Sequence, residues 1–252
     1  MHTIFRPSKF FETYRLMGVE SVISVAFYPI KPKHSATLED LFRWIIERET
    51  RRLQEIGITC FCGIGIHPRS IPDILNPSIY DYINKNLRER VVALGEIGLE
   101  KGTKEEIKVL EELLLIAKRN NDFPVILHTP GKNRRKITKQ LIDVTESLDI
   151  ISGVIDHVSS ENIDLALDTK LNIGLTIQKG KLTKEQFIDI IQEYKGQTNR
   201  FILNSDLGID VAFKYGVPEV VQYMIKKEME KEVIEKISHK NAESIFKLNE
   251  KL

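Results

Sequence analysis

The sequence predicts a parallel α/β fold closed into a TIM-like (β/α) barrel, and three observations predict it. Short continuous apolar runs rich in β-branched residues alternate with amphipathic helical stretches, as strands buried on both faces and their crossover helices do. The 252 residues divide into eight units of about 31 residues each, the size of a strand-helix unit in such a barrel. Polar residues close successive runs: His67, Glu96, His128, His157 and Asp206. The steps of 32 residues from Glu96 to His128 and 29 from His128 to His157 each suit one unit, and the 49 to Asp206 suits two. A doubly wound sheet shares the alternation, but the even spacing of the strand-end residues favours the barrel.

The elements follow in order. A first helix spans Ser8–Met17. Strands are expected at Ser21–Phe27, Ile58–Ile66, Val91–Ile97, Val125–His128, Gly153–Ile155, Leu171–Ile177 and Phe201–Asn204. Between and after them come helices at Thr37–Ile56, Lys104–Asn120, Lys136–Leu148, Glu161–Leu167, Lys184–Tyr194, Pro218–Lys227 and Lys231–Lys251. Leu110, Leu113, Leu114 and Ala117 lie at helical spacing, and Thr103-x-x-Glu106 reads as a capping box at that helix's start. Phe42 and Trp44 are expected to pack against the barrel, and Cys60 and Cys62 to be small buried residues on one strand face. No linker or low-complexity tract divides the chain, so residues 1–252 read as one domain. Only seven strands are found. A closed barrel needs one more, before Met1, and without it two strand edges are left unpaired.

Composition narrows the function. With 37 Lys and Arg against 36 Asp and Glu, the net charge of +1 excludes a generally basic DNA-coating protein but not a local basic patch. Two cysteines are too few for a disulfide scaffold or a cysteine zinc site. No apolar run approaches the roughly 20 residues that span a bilayer. The N-terminus lacks a signal-peptide pattern, so a cytoplasmic protein is expected.

In a barrel the C-terminal strand ends converge on one face, so three histidines and two acids would meet there. Imidazoles and carboxylates together suit zinc, manganese or similar divalent ions, which make hydroxide available at neutral pH. Each residue alone has a plainer reading: a hydrogen-bonded strand-end histidine, or an acid capping a helix. Five at successive strand ends make that reading weaker. Basic residues crowd the same face: Arg69 after His67, Lys132, Arg134 and Arg135 after His128, and Lys179 and Lys181 after Ile177. Such side chains suit phosphate oxygens, with solvated helix starts as the even alternative. His34 and His239 lie outside this pattern.

Gly95-Glu96-Ile97-Gly98-Leu99, Pro124-Val125-Ile126-Leu127-His128 and Asp206 after an apolar strand resemble the TatD family of metal-dependent hydrolases. Gly65-Ile66-His67-Pro68 is similar to its Gly-x-His-Pro motif, and Asn241–Phe246 to its closing Asn-x-x-x-x-Phe motif. The resemblance implies an amidohydrolase-like barrel with one or two divalent ions (Zn, Mn or Mg). It implies phosphodiester cleavage with metal-activated water, on DNA. By family position His2, Glu96, His128, His157 and Asp206 would hold metal, with Glu96 bridging. Asp206 would also take the water's proton, and His67 would contact substrate. From the basic loops, Arg69, Lys132 and Arg134 are expected to bind substrate too, and with no nucleic-acid recognition motif in the sequence, readout of base sequence is not expected. The chain departs from the family twice. The family's first strand ends in His-x-His, and here only His2 of the pair is present, so the absent strand and the absent ligand coincide before Met1. Either the start lies upstream or the first metal position is depleted. Glu100 stands where the family has Asp, a longer acid that could disturb the geometry around the ligands. Two rival readings remain: an amide or ester hydrolase on the same barrel, and a metal-poor binding protein without catalysis.

Overall fold

A computed structural model of the chain describes residues 1–208 and 215–250. Seven parallel strands form one curled sheet in sequence order: β1 (Ser21–Val25), β2 (Thr59–Ile64), β3 (Val91–Gly98), β4 (Val125–His128), β5 (Gly153–Ile155), β6 (Asn172–Thr176) and β7 (Phe201–Asn204). The helices are α1 (Ser8–Leu16), α2 (Ser35–Arg43), α3 (Thr50–Gln54), α4 (Ser78–Lys85), α5 (Lys104–Arg119), α6 (Arg134–Ser147), α7 (Ile163–Leu167), α8 (Lys184–Glu193), α9 (Gly216–Lys226), α10 (Lys231–Glu235) and α11 (Asn241–Ile245). The TIM-like reading and all seven strands are found where the apolar runs lie.

Adjacent strand residues go to opposite faces, and both faces are covered. Leu127, Ile155 and Leu203 pack with the helices, while Ile126, Val154 and Ile202 form an inner cluster with Phe61 and Val92. Phe246 and Leu248, from the C-terminal end, fill the floor of that inner cluster. Asn241 ties the same segment to the edge strand, its amide donating to the carbonyls of Thr198 and Phe201 at 2.8 Å each.

Among the described residues no eighth strand stands between β1 and β7, and the gap is bridged at one end only. Met1 lies beside β1 in parallel register, its amine donating to Ile23 O at 3.2 Å and its carbonyl accepting from Val25 N at 2.8 Å. On the other side His2 N donates to Leu207 O, just past β7, at 2.7 Å. Two residues thus close the ring at the C-terminal ends of the strands. Elsewhere along the seam β1 and β7 do not pair, and a cavity of about 200 Å³ lies there, lined by Ile23, Val25, Ile202, Ala242 and Phe246 among others.

Three expectations need correction. Trp44 does not pack on the barrel: it is 55% exposed, whereas Phe42 is fully buried. Two residues along a helix is about 200° of rotation, so Trp44 faces away when Phe42 faces in. The predicted Thr37–Ile56 helix is three consecutive pieces, with a π-helical stretch at Trp44–Glu49 between α2 and α3. The predicted C-terminal helix is likewise broken by π-helical Lys236–Lys240, and its last residue, Lys251, lies outside the described residues. The helix α4 was not anticipated.

Replacing Phe246 with Ala should cost about 3 kcal/mol by opening a cavity under the barrel, and Asn241→Ala about 1–2 kcal/mol by orphaning two carbonyls. Urea unfolding of the two variants checks this; unchanged midpoints would mean the C-terminal segment does not hold the edge strand.

Candidate metal and phosphate site

Glu96 is the centre of the site. It sits inside β3, 2% exposed, and the other strand-end residues surround it. Its Oε2 lies 3.5 Å from His2 Nε2, which is 3.0 Å from Asp206 Oδ1. Its Oε1 lies 3.0 Å from His157 Nε2 and 3.8 Å from His128 Nδ1. The five strand-end residues and His2 therefore come together, the carboxylate facing one group of donors with each oxygen.

Tautomers follow from the outer partners. His2 Nδ1 is 3.0 Å from Val25 O, a carbonyl that only accepts, so Nδ1 carries a proton, and in the neutral ring the Nε2 lone pair faces Asp206 and Glu96. One nitrogen and two carboxylates directed at one another require a positive charge between them, supplied by a second proton on His2 or by a bound cation. His128 Nε2 lies 2.9 Å from Glu100 Oε2, which places a proton there, so that in the neutral ring Nδ1 is left as an acceptor. That Nδ1 is buried and has no hydrogen-bond partner among the described residues; nor has Glu96 Oε1, because the approach of His157 misses hydrogen-bond geometry. The ligand atoms of His2, Glu96 and Asp206 lie within 4.8 Å of one another. Unpartnered, buried nitrogen and oxygen acceptors at this spacing fit divalent cations.

His67 also lies within that range of Glu96 and His128, but its chemistry differs. The Arg69 backbone N–H donates to His67 Nδ1 at 3.0 Å. A neutral ring then carries its proton on Nε2, which is buried and unpartnered. His67 therefore presents a donor, not a lone pair. Asp156 lies at ligand spacing with Glu96 and His157, but one of its oxygens is already used: Oδ1 accepts from the His157 N–H (2.9 Å), the Asn204 amide (2.7 Å) and the Thr176 hydroxyl (3.2 Å).

Burial opposes ionisation of Glu96, but the surrounding imidazoles of His128 and His157 outweigh it and hold the carboxyl well below its usual range. Asp206 is likewise held down against burial, by Lys181 and His2. Burial, with the neighbouring His128, pushes His67 well below the usual histidine value. For His128 burial is outweighed by Glu100 and Glu96, and its value rises. Two of these residues have left-handed backbone, His157 (φ 61°) and Asp206 (φ 40°). Non-glycine residues in that region cluster where a site over-determines the chain. Here His157 N is fixed by Asp156, and Asp206 O accepts from the Gln178 amide at 2.8 Å. Gly174 makes the first of these possible: a Cβ there would sit 2.2 Å from Asp156 Oδ1.

The loop after β3 is held by a carboxylate. Thr103 caps α5, its hydroxyl accepting from Glu106 N, but the predicted capping box is not closed: Glu106 Oε2 instead accepts the backbone N–H groups of Glu100, Lys101 and Gly102 at 2.9–3.0 Å. The loop so fixed delivers Glu100 to His128. The longer acid does not break the arrangement; it makes the contact.

Outside this centre a cleft of about 830 Å³ opens, with His2, His128, His157 and Asp206 at its base and Arg69, Lys101, Lys132, Lys179 and Lys181 along its walls. Arg69 lies over the Phe27 ring at 4.8 Å and reaches Glu100 at 3.8 Å. Lys132 is exposed on the rim. Arg134 lines the cleft but is buried, donating to Pro130 O and Ser159 Oγ. Arg135 points elsewhere and pairs with Asp164 at 2.7 Å. Sequence reasoning missed the roles of Asp156 and Thr176, which carry no motif of their own, and read Glu106 only as part of a helix cap.

The sequence family described as TatD related DNase matches residues 3–247. An uncharacterized metal-dependent hydrolase of Methanocaldococcus jannaschii is 32% identical over 253 residues, covering 98% of each chain. The crystal structure of a TatD-like protein from Archaeoglobus fulgidus superposes with a TM-score of 0.83 at 34% identity, covering 98% of this chain and 97% of that one. A phosphotriesterase homology protein from Escherichia coli shares the fold, with a TM-score of 0.66 at 15% identity over 95% of this chain and 88% of that one.

The depressed His67 value fixes a sign. As pH falls through about 6.5, the unfolded chain takes up a proton that the folded chain resists, so stability is lost toward acid. His67→Gln should flatten the slope of melting temperature against pH between about pH 7 and 5, measured in chelator by calorimetry; an unchanged slope would mean the ring is not buried neutral.

Proposed function

The chain belongs to the TatD-related DNase family, a family of metal-dependent hydrolases, and from that premise we propose that it cleaves phosphodiesters, with DNA as substrate. The observation that carries the reading is the basic cleft joined directly to the cluster of unpartnered acceptors. A polyanion is drawn to such walls, while the floor holds the carboxylates and imidazoles of a cation site. The cleft's described walls offer lysines and arginines suited to phosphate, so recognition through the nucleic-acid backbone is proposed.

Two cation positions share Glu96. His2, Glu96 and Asp206 would hold one ion, and Glu96, His128 and His157 the other. Zinc, manganese or magnesium bound there would polarise phosphoryl oxygens and lower the pKa of a coordinated water. The chain's own residues do the rest. Asp206, held ionised, takes the proton of the attacking water through a carboxylate oxygen. The Nε2–H of His67 donates to a non-bridging phosphate oxygen as charge grows there. Arg69 and Lys132 orient the diester, and Arg134 holds the loop that carries Lys132. Glu100 keeps His128 in the tautomer that offers Nδ1. Cys60 and Cys62 are buried free thiols, in keeping with a reducing, cytoplasmic setting. Among the described residues no helix is long and apolar enough to cross a membrane.

Protein reloaded with Mn²⁺ or Zn²⁺ should hydrolyse linear DNA and bis(p-nitrophenyl) phosphate. Asp206→Asn should lower kcat at least about 100-fold with the fold intact. Glu100→Ala should weaken metal binding about 10–100-fold, read by calorimetric titration. Turnover of amide or ester substrates with DNA untouched, or a wild-type rate in Asp206→Asn, would overturn the reading.

A further inference from the structure

Lys181 belongs to the cleft wall by its Cα but to the metal cluster by its ammonium. Its Nζ lies 2.5 Å from Asp206 Oδ2 and 3.0 Å from His157 Nδ1. Those two residues come from the two different cation positions. The side chain is set there by the backbone. Lys181 N donates to Gln178 O at 2.9 Å, closing a tight turn whose third residue, Gly180, has φ 80°, a conformation natural to glycine. The turn is anchored on both sides: the Gln178 amide reaches Asp206 O, and Leu182 N reaches Thr176 O at 3.1 Å.

The contact with His157 has a chemical consequence. An ammonium only donates, so Lys181 requires a lone pair on His157 Nδ1 and places the ring proton on Nε2, towards Glu96. Thr176 Oγ1 lies 2.8 Å from the same Nδ1 and 3.2 Å from Asp156 Oδ1. With its hydrogen given to Asp156, Thr176 accepts from Nδ1–H, and the ring takes the opposite tautomer with a free lone pair on Nε2. The two demands exclude each other. Only the Thr176 arrangement lets His157 ligate a cation beside Glu96. Lys181 also occupies a carboxylate oxygen of Asp206, the residue His2 approaches from the other side at 3.0 Å.

We propose that Lys181 is a tethered internal cation that competes with the bound metal for Asp206 and His157, so that the two positions load unequally, and that full loading moves its ammonium into the cleft. This rests on the cation positions proposed above. Displaced from Asp206, the ammonium joins Lys179, Lys132 and Arg69 on the cleft wall, where an anionic substrate would meet it. Lys181 is thus a positioning residue for the metal cluster and a phosphate-binding residue once displaced.

The test is calorimetric titration of metal-stripped full-length protein with MnCl₂, comparing wild type, Lys181→Met, Lys181→Gln and Lys181→Arg. Wild type should show two unequal classes of site. Lys181→Met and Lys181→Gln should tighten the weaker class at least tenfold and narrow the gap between the two. Lys181→Arg, which keeps the charge, should stay close to wild type. In parallel, Lys181→Met should melt at a lower temperature than wild type in chelator and gain more on adding Mn²⁺. Unchanged or weaker binding in both neutral variants, with wild type still taking two ions, would overturn the role of Lys181 alone. No ion bound by wild type or by any variant would overturn the cation positions, and this inference with them.

Discussion

A buried carboxylate organises this protein. Glu96 lies within the sheet at 2% exposure and remains ionised. An unpaired charge there would cost several kcal/mol, so the fold must bring compensating groups to it from every side. It does so by strand order. Histidines at the ends of β4 and β5 approach one oxygen, and His2 with Asp206 approaches the other. The outer partners follow from the same constraint. Val25, Glu100 and Arg69 each assign a ring proton, and Glu106 and Asp156 hold the loops and backbone that present the rings.

The same requirement explains why Met1 and His2 matter to the barrel. His2 is the group that reaches Asp206 across the gap between the first and last strands, and its backbone supplies the hydrogen bond there. Two residues suffice at the functional end, while Phe246, Leu248 and the apolar side chains of the inner cluster cover the opposite end.

Much of this is legible in the sequence because strands buried on both faces write unbroken apolar runs, and because barrel topology sends strand ends to one face. Those two rules locate all seven strands and gather His67, Glu96, His128, His157 and Asp206. What escapes the sequence depends on contacts between distant residues or on fine rotation. Trp44 needed the angular phase of its helix rather than its presence in one. The helix α4 is amphipathic, with Ile79 and Ile83 on its buried face, but it is only eight residues long and has little helix-favouring composition, so its signal spans barely two turns. The ring closure is backbone hydrogen bonding between residues some two hundred positions apart, which no side-chain pattern records. Glu106 could be read as a capping acid, but its three bonds to the loop amides depend on where that loop folds.

The seam also divides the site dynamically. Glu96 and His128 stand on the paired strands β3 and β4, whose register shifts between Leu94 and Ile97, and His157 lies two residues past β5, the next strand in the sheet; His2 and Asp206 face each other where only two residues complete the wall. Local opening events follow the weakest backbone connections. An opening of the seam would separate His2 from Asp206 before it disturbed the strands that carry Glu96, His128 and His157. The two halves of one cluster thus inherit different lifetimes from the sheet beneath them, and a ligand spanning the pair would act as a clasp across the barrel wall.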